Sequence, residues 1–215
     1  MFKYLFISII LYIFAVEIIK NKSMEQITLK KLESYNTLNS LRRIDKSQEA
    51  CSFEPIRLRK WYTIDTDVRL EKYGYNLQRP YVWTILQQQE LIWSIFMGRP
   101  IPPFVFIQHA EDNSALGAVT MMVIDGKQRL TTIFRYMDNE FPIIVDGQEV
   151  YFKDLDSMAQ HRINFYDIRA QIYYSYKEDP ITDDEKIIIF NHYNFAGTLQ
   201  EEEHKNKLQG FIANK

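Results

Sequence analysis

Residues 118 to 124, Ala-Val-Thr-Met-Met-Val-Ile, form a nearly unbroken apolar run that stops at Asp125-Gly126 and restarts at Lys127 with a helical period. A short run of this kind reads as a strand covered on both faces, which requires a layered architecture of sheet and helices. Leu130, Ile133, Phe134 and Met137 recur on one side of the following helix and mark its core face, leaving the opposite face for a ligand. The junction has the properties of an anion pocket. Unpaired N–H groups at a helix start point outward, the macrodipole is positive there, and Gly126 lets a ligand approach the backbone. Lys127 and Arg129 add full charges, and Arg129 can grip a phosphate through two parallel hydrogen bonds. A nucleotide or nucleic-acid phosphate is the expected guest, against the plainer alternative of a solvated basic helix start.

The remaining elements follow from local signals. Residues 24 to 46 have a helical pattern, and 47 to 68 read as irregular or short strand. Thr84 and Gln87 form a capping box for a helix that buries Leu91, Ile92, Ile95 and Phe96 and ends at Gly98 and Pro100. A strand is expected over 104–108, followed by a loop through Glu111-Asp112-Asn113. A hairpin is expected over 141–145 and 148–151, joined by a type I′ turn at Asp146-Gly147. Asp154 begins a short helix, and Arg169 to Tyr176 form a strand. Thr182 and Glu185 cap a helix ending near His192, and a polar helix covers 200–211.

With 215 residues, 46% hydrophobic and 25% charged, the chain has material for one core with appendages. A net charge of −2 argues against coating nucleic acid by bulk electrostatics, so any DNA contact is local. Arg57, Arg59 and Lys60 beside Trp61 and Tyr62 are either a backbone-contact patch or a solvated face. The single cysteine, Cys51, excludes an internal disulfide framework and suits a reducing compartment. His109, His161, His192 and His204 lack metal-ligand spacing, and Glu201, Glu202 and Glu203 point in different directions along a helix, so no protein-ligated metal is expected. Residues 1–23 are an apolar segment interrupted by Glu17, short for a membrane span. They fit a start assigned too early, a membrane anchor or interfacial helix, or a cleaved signal or packed helix. A cytoplasmic location is expected, with membrane anchoring through 1–23 as the alternative.

Gln78-Arg79-Pro80-Tyr81-Val82-Trp83 is followed by Gln89-Glu90-Leu91-Ile92, Ser94-Ile95 and Gly98-Arg99-Pro100-Ile101-Pro102, and then by Asp125-Gly126-Lys127-Gln128-Arg129-Leu130-Thr131-Thr132. In that order the chain, over about residues 60 to 205, resembles the N-terminal domain of GmrSD-type restriction endonucleases. The resemblance implies an α+β fold of the ParB/sulfiredoxin-like type, a small mixed sheet with flanking helices and a helical C-terminal extension. Together with the apolar composition of 1–23, it gives an expected division into 1–23, a helical or irregular 24–60 extension and a 61–215 domain. It also implies binding of a nucleoside triphosphate, with hydrolysis coupled to cleavage of modified, usually phage, DNA. The family's Asp-Gly-Gln-Gln-Arg signature falls on Asp125 to Arg129, with Lys127 in place of glutamine. Phe190, His192, Asn194, Gly197, Leu199 and Glu203 match a second family stretch, where His192 replaces an arginine and the loop after Gly197 is one residue shorter. A mostly neutral histidine there weakens any phosphate contact.

The candidate site is therefore Arg79, Gly126, Lys127, Arg129, Thr131 and Asn194 for phosphate, with Asp125 and Gln128 as catalytic candidates. Asp125 either positions Mg²⁺ or an attacking water, or caps the helix. Gln128 either orients water or lies on the surface. Arg79, held extended by Pro80, either reaches the phosphate or pairs with Asp125 or Glu90. Two functions stand: a nucleotide-binding, hydrolysis-competent module of a DNA-targeting defence system, or a non-catalytic phosphate-, nucleotide- or DNA-binding module needing a partner nuclease of the HNH type. A self-sufficient nuclease is not expected.

Overall fold

The computed structural model describes residues 48–110 and 119–194 together with Gly210. The expected helix at 24–46, that at 200–211 apart from Gly210, the loop at 111–113, the apolar segment 1–23, and Gly197, Leu199 and Glu203 lie outside the described residues. Alternation along the strands sets the architecture. Strand β1 (Gln48–Phe53), helix α1 (Pro55–Trp61) and strand β2 (Tyr62–Asp65) come first, followed by the short strands β3 (Arg69–Leu70) and β4 (Tyr75–Asn76). Helix α2 (Ile85–Phe96), strands β5 (Phe104–Ala110) and β6 (Val119–Asp125) and helix α3 (Lys127–Met137) form the middle. Strands β7 (Ile143–Val145) and β8 (Gln148–Val150), helix α4 (Ser157–Asn164), strand β9 (Ile168–Tyr176) and helix α5 (Asp183–Asn194) complete it.

The main sheet has the order β1-β9-β5-β6-β2. It is mixed: β1 runs antiparallel to β9 and β5 antiparallel to β6, whereas β5 is parallel to β9 and β2 to β6. Phe104, Phe106, Met121, Val123, Ala170 and Ile172 point to one face, where they pack with Leu58 of α1, Leu91, Ile92 and Ile95 of α2, Leu130 and Ile133 of α3 and Ile163 of α4. The alternate residues Val105, Ile107, Met122, Ile124 and Tyr173 point to the other, against Ile187 to Phe190 of α5 and Val68, Leu70 and Leu77 around the β3–β4 hairpin. The fold is therefore α+β, and coverage of both faces explains the apolar run that ends at Ile124.

Local signals place most of the elements. The Thr84 capping box is complete, with the Gln87 Oε1 accepting from the Thr84 N–H at 2.9 Å and the Thr84 Oγ1 accepting from the Gln87 N–H at 3.4 Å. Gly98 adopts φ +66° just beyond α2. Asp146 at φ +50° and Gly147 at φ +77° give the I′ signature between β7 and β8. The Glu185 Oε2 accepts from the Thr182 N–H at 2.8 Å and anchors α5.

Over residues 48–68 the short-strand expectation holds for an edge strand and for a parallel strand at the opposite edge, but the seven-residue helix between them departs from it. The helix has Pro55 at its start but no side-chain cap, and it is held by the complete burial of Leu58. A helix stabilised by tertiary burial leaves little periodic signal in seven residues. Strand β1 in the sheet and helix α1 packed against it thus belong to the folded unit ahead of residue 61, where the domain is expected to begin. Among the described residues no helix is long and apolar enough to cross a membrane.

Candidate functional site

Gly126 stands where β6 becomes α3, at φ +99°, and a Cβ added to it would meet the Phe104 Cδ1 at 2.4 Å. Glycine is required by the left-handed backbone and by the ring beside it. The approach left open by the missing side chain is filled by Phe104 from β5, so the free access expected for a ligand at this Cα is absent. The helix begins with the Leu130 N–H donating to the Gly126 carbonyl at 2.9 Å. Among the described residues, the N–H groups of Lys127, Gln128 and Arg129 have no acceptor. They are the donors a phosphate would use.

Arg129 faces inward. Its Nη2 lies 2.8 Å from the Asp125 Oδ2, and the two side chains are 13% and 28% exposed. Nη1 donates to the Pro102 carbonyl, Nη2 reaches the Pro103 carbonyl at 3.4 Å, and Cζ stacks 4.6 Å from the centroid of the Phe104 ring. Burial pushes the Asp125 carboxyl up from its ordinary range, opposed by Arg129 and the Gly126 N–H. Burial also lowers the Arg129 guanidinium, opposed by Asp125. In both partners burial is the largest influence, as for an ion pair whose desolvation rivals its attraction. The fork expected to grip phosphate thus joins α3 to the loop entering β5. Asp125 is engaged by the Gly126 N–H and the guanidinium together.

Gln128 is also inward, at 8% exposure. Its Oε1 accepts from the Val82 N–H and its Nε2 donates to the Pro80 carbonyl, both at 2.9 Å. The expectation that Gln128 orients a water meets an amide already holding backbone at both ends. Gln78 anchors the same segment from the other side, its Nε2 donating to the Val123 and Ile124 carbonyls at 2.7 and 2.6 Å. The Tyr81 and Thr132 hydroxyls lie 2.8 Å apart, and Gln88 donates to the Trp83 carbonyl at 3.0 Å. Residues 78–83 are therefore a strap fastened across the end of β6 and the first turns of α3.

Arg79 sits between the two anchors and is exposed. Among the described residues it has no hydrogen bond or ion pair, and neither expected bridge, to Asp125 or to Glu90, is formed. Lys127 lies 3.2 Å from Asp67, whose carboxylate is 76% exposed. Hydrogen bonds from Lys127 and Asn76 hold that carboxyl below its ordinary range. Thr131 follows one turn after Lys127 and is half-buried. Asn194 is elsewhere: it donates to the Phe190 carbonyl at 2.9 Å at the end of α5, the helix on the sheet face opposite α3.

Sequence reasoning passed over Gln78, Thr132 and the Pro102 and Pro103 carbonyls. The available signal was chemical, because a glutamine inside an apolar frame must find partners for both ends of its amide. Arg57 pairs with Glu54 at 2.7 Å and Arg59 with Asp138 at 2.7 Å, so the basic cluster is largely neutralised locally. Among the described residues no group of three or more His, Cys, Asp or Glu is placed to hold a metal ion. An open depression of about 470 Å³ between β1 and β9, lined by Cys51, Pro103 and Arg169 among others, contains none of the expected site residues.

The family model described as GmrSD restriction endonuclease, N-terminal domain, matches residues 75–214. The chain matches no curated protein and no solved structure. The matched region includes the strap, the β6–α3 turn and α5, while β1, α1 and β2 precede it.

Proposed function

The chain belongs to the family of GmrSD restriction endonuclease N-terminal domains, and from that membership we propose that it is the nucleotide-binding module of a restriction-type defence system, with a ParB/sulfiredoxin-like fold. The observation that carries the reading is Arg79, an exposed cation without a partner among the described residues, fastened beside the open N–H groups at the start of α3. A triphosphate tail matches that set: the amides and macrodipole take one phosphate oxygen cluster, and the Arg79 guanidinium grips another. Lys127 joins by leaving Asp67, an exchange that costs little because the carboxylate it leaves is exposed to water. Arg129 and Asp125 form the floor beneath. Mg²⁺ would arrive with the triphosphate, held mainly by phosphate oxygens and water.

Binding is better supported than turnover by this chain alone. Hydrolysis needs a group free to orient water, and both candidates are engaged, Gln128 by the strap and Asp125 by Arg129 and Gly126. In this reading the nucleotide is a sensed ligand, and cleavage of modified or phage DNA belongs to a partner nuclease of the HNH type. Isothermal calorimetry with each nucleoside triphosphate and Mg²⁺ tests the proposal. Wild type is expected to bind, and Arg79→Ala to weaken binding by about tenfold, the value of one charge-assisted contact. Equal affinities for the two proteins would remove the proposal. Phosphate release measured with and without DNA then separates binding from hydrolysis.

A further inference from the structure

We propose that Gln128 is a positioning residue, its amide bridging Pro80 and Val82 so that Arg79 is held at the β6–α3 turn for a ligand's phosphate. The inference rests on the phosphate reading above and adds which residue sets its geometry. The Gln128 amide supplies a donor to the Pro80 carbonyl and an acceptor to the Val82 N–H, the partners that a neighbouring strand would otherwise provide. Pro80 has no N–H and keeps Arg79 extended, so the strap cannot fold back on itself. Gln78 fixes the other side of Arg79 to the last carbonyls of β6. With residues 78, 80 and 82 all anchored, the freedom left at Arg79 is in its side chain. Preorganisation of this kind favours binding by reducing the ordering that the ligand must impose. Gln128 itself is 8% exposed and has both amide heteroatoms engaged, which suits holding the strap rather than touching a ligand.

The test uses the full chain, with tripolyphosphate as the probe in calorimetry and amide hydrogen exchange at Val82 as an independent readout. Val82 is 57% exposed and its N–H donates to the Gln128 Oε1, so slow exchange at this amide is expected to depend on that bond. Gln128→Met keeps the side-chain volume and removes both bonds. Gln128→Asn keeps the polar head but is one methylene too short to reach both partners, and it serves as the second variant. Each is expected to expose the Val82 amide to exchange and to weaken binding by about tenfold, as Arg79→Ala does. Combining either with Arg79→Ala should weaken binding no further, because the tether acts only through Arg79. Gln89→Ala, which removes a comparable tether to the Pro142 carbonyl, should stay within about twofold of wild type. Losses that multiply to about a hundredfold in the double variant would overturn the proposal, since Gln128 would then act on the ligand independently. Unchanged exchange at Val82 would also overturn it. If wild type does not bind tripolyphosphate, the phosphate reading fails, and exchange at Val82 still decides whether the tether exists.

Discussion

A single position carries the junction between sheet and helix. Gly126 combines φ +99° with a ring atom 2.4 Å from where a Cβ would lie. Alanine there suffers both the left-handed backbone penalty and a collision with Phe104, which is itself fully buried and cannot swing away. Gly126→Ala is therefore expected to destabilise the protein by on the order of 2 to 4 kcal/mol, read as a lowered urea midpoint. A loss below about 1 kcal/mol would mean that the ring yields easily. The same ring stacks on Arg129, so the turn, the buried arginine and the strand β5 are coupled through one aromatic side chain. The residue types at this turn were legible as a phosphate-friendly set. Their directions were not, because Arg129 turns toward carbonyls 26 and 27 residues earlier in the chain.

The helices and hairpins obey short-range rules, and these made most of the element map readable. At the start of α2 the chain must satisfy orphan N–H groups before the apolar face begins, and Thr84 with Gln87 does so reciprocally. Both side chains are exposed, so removing the cap leaves no cavity. Thr84→Ala should lower stability by about 1 kcal/mol and Thr84→Ser by much less, with thermal or urea unfolding followed by circular dichroism as the measurement. Equal midpoints for wild type and Thr84→Ala would show that the box contributes nothing. Helix α1 illustrates the opposite case. Its first residue is a proline, its N-cap Glu54 makes no capping bond, and its one large buried residue, Leu58, packs under elements distant in the chain. No window of seven residues contains the information that holds it.

At the scale of the molecule, the region that matches the family does not coincide with the folded unit. The match begins at residue 75, yet the sheet is completed by β1 pairing with β9 and by β2 pairing with β6. Leu58, Val68 and Leu70, all fully buried, also precede residue 75. A fragment beginning at residue 75 would expose two new sheet edges and lose part of both cores. It is expected to lack the cooperative thermal transition expected of the full chain; a sharp melt for the fragment would contradict the architecture. The strand, glycine turn and basic helix start, the two capping boxes and the I′ hairpin were readable from local residues, because each depends on positions within about one turn of one another. Which of the site's polar groups remain available was set by long-range packing. Arg129 and Gln128 found backbone partners 26 to 48 residues away and turned inward, while Arg79, anchored on both sides by glutamines, was left facing solvent. Burial makes an unpaired donor or charge costly, so the nearest backbone acceptors win the inward side chains, and that competition is settled by packing rather than by local order.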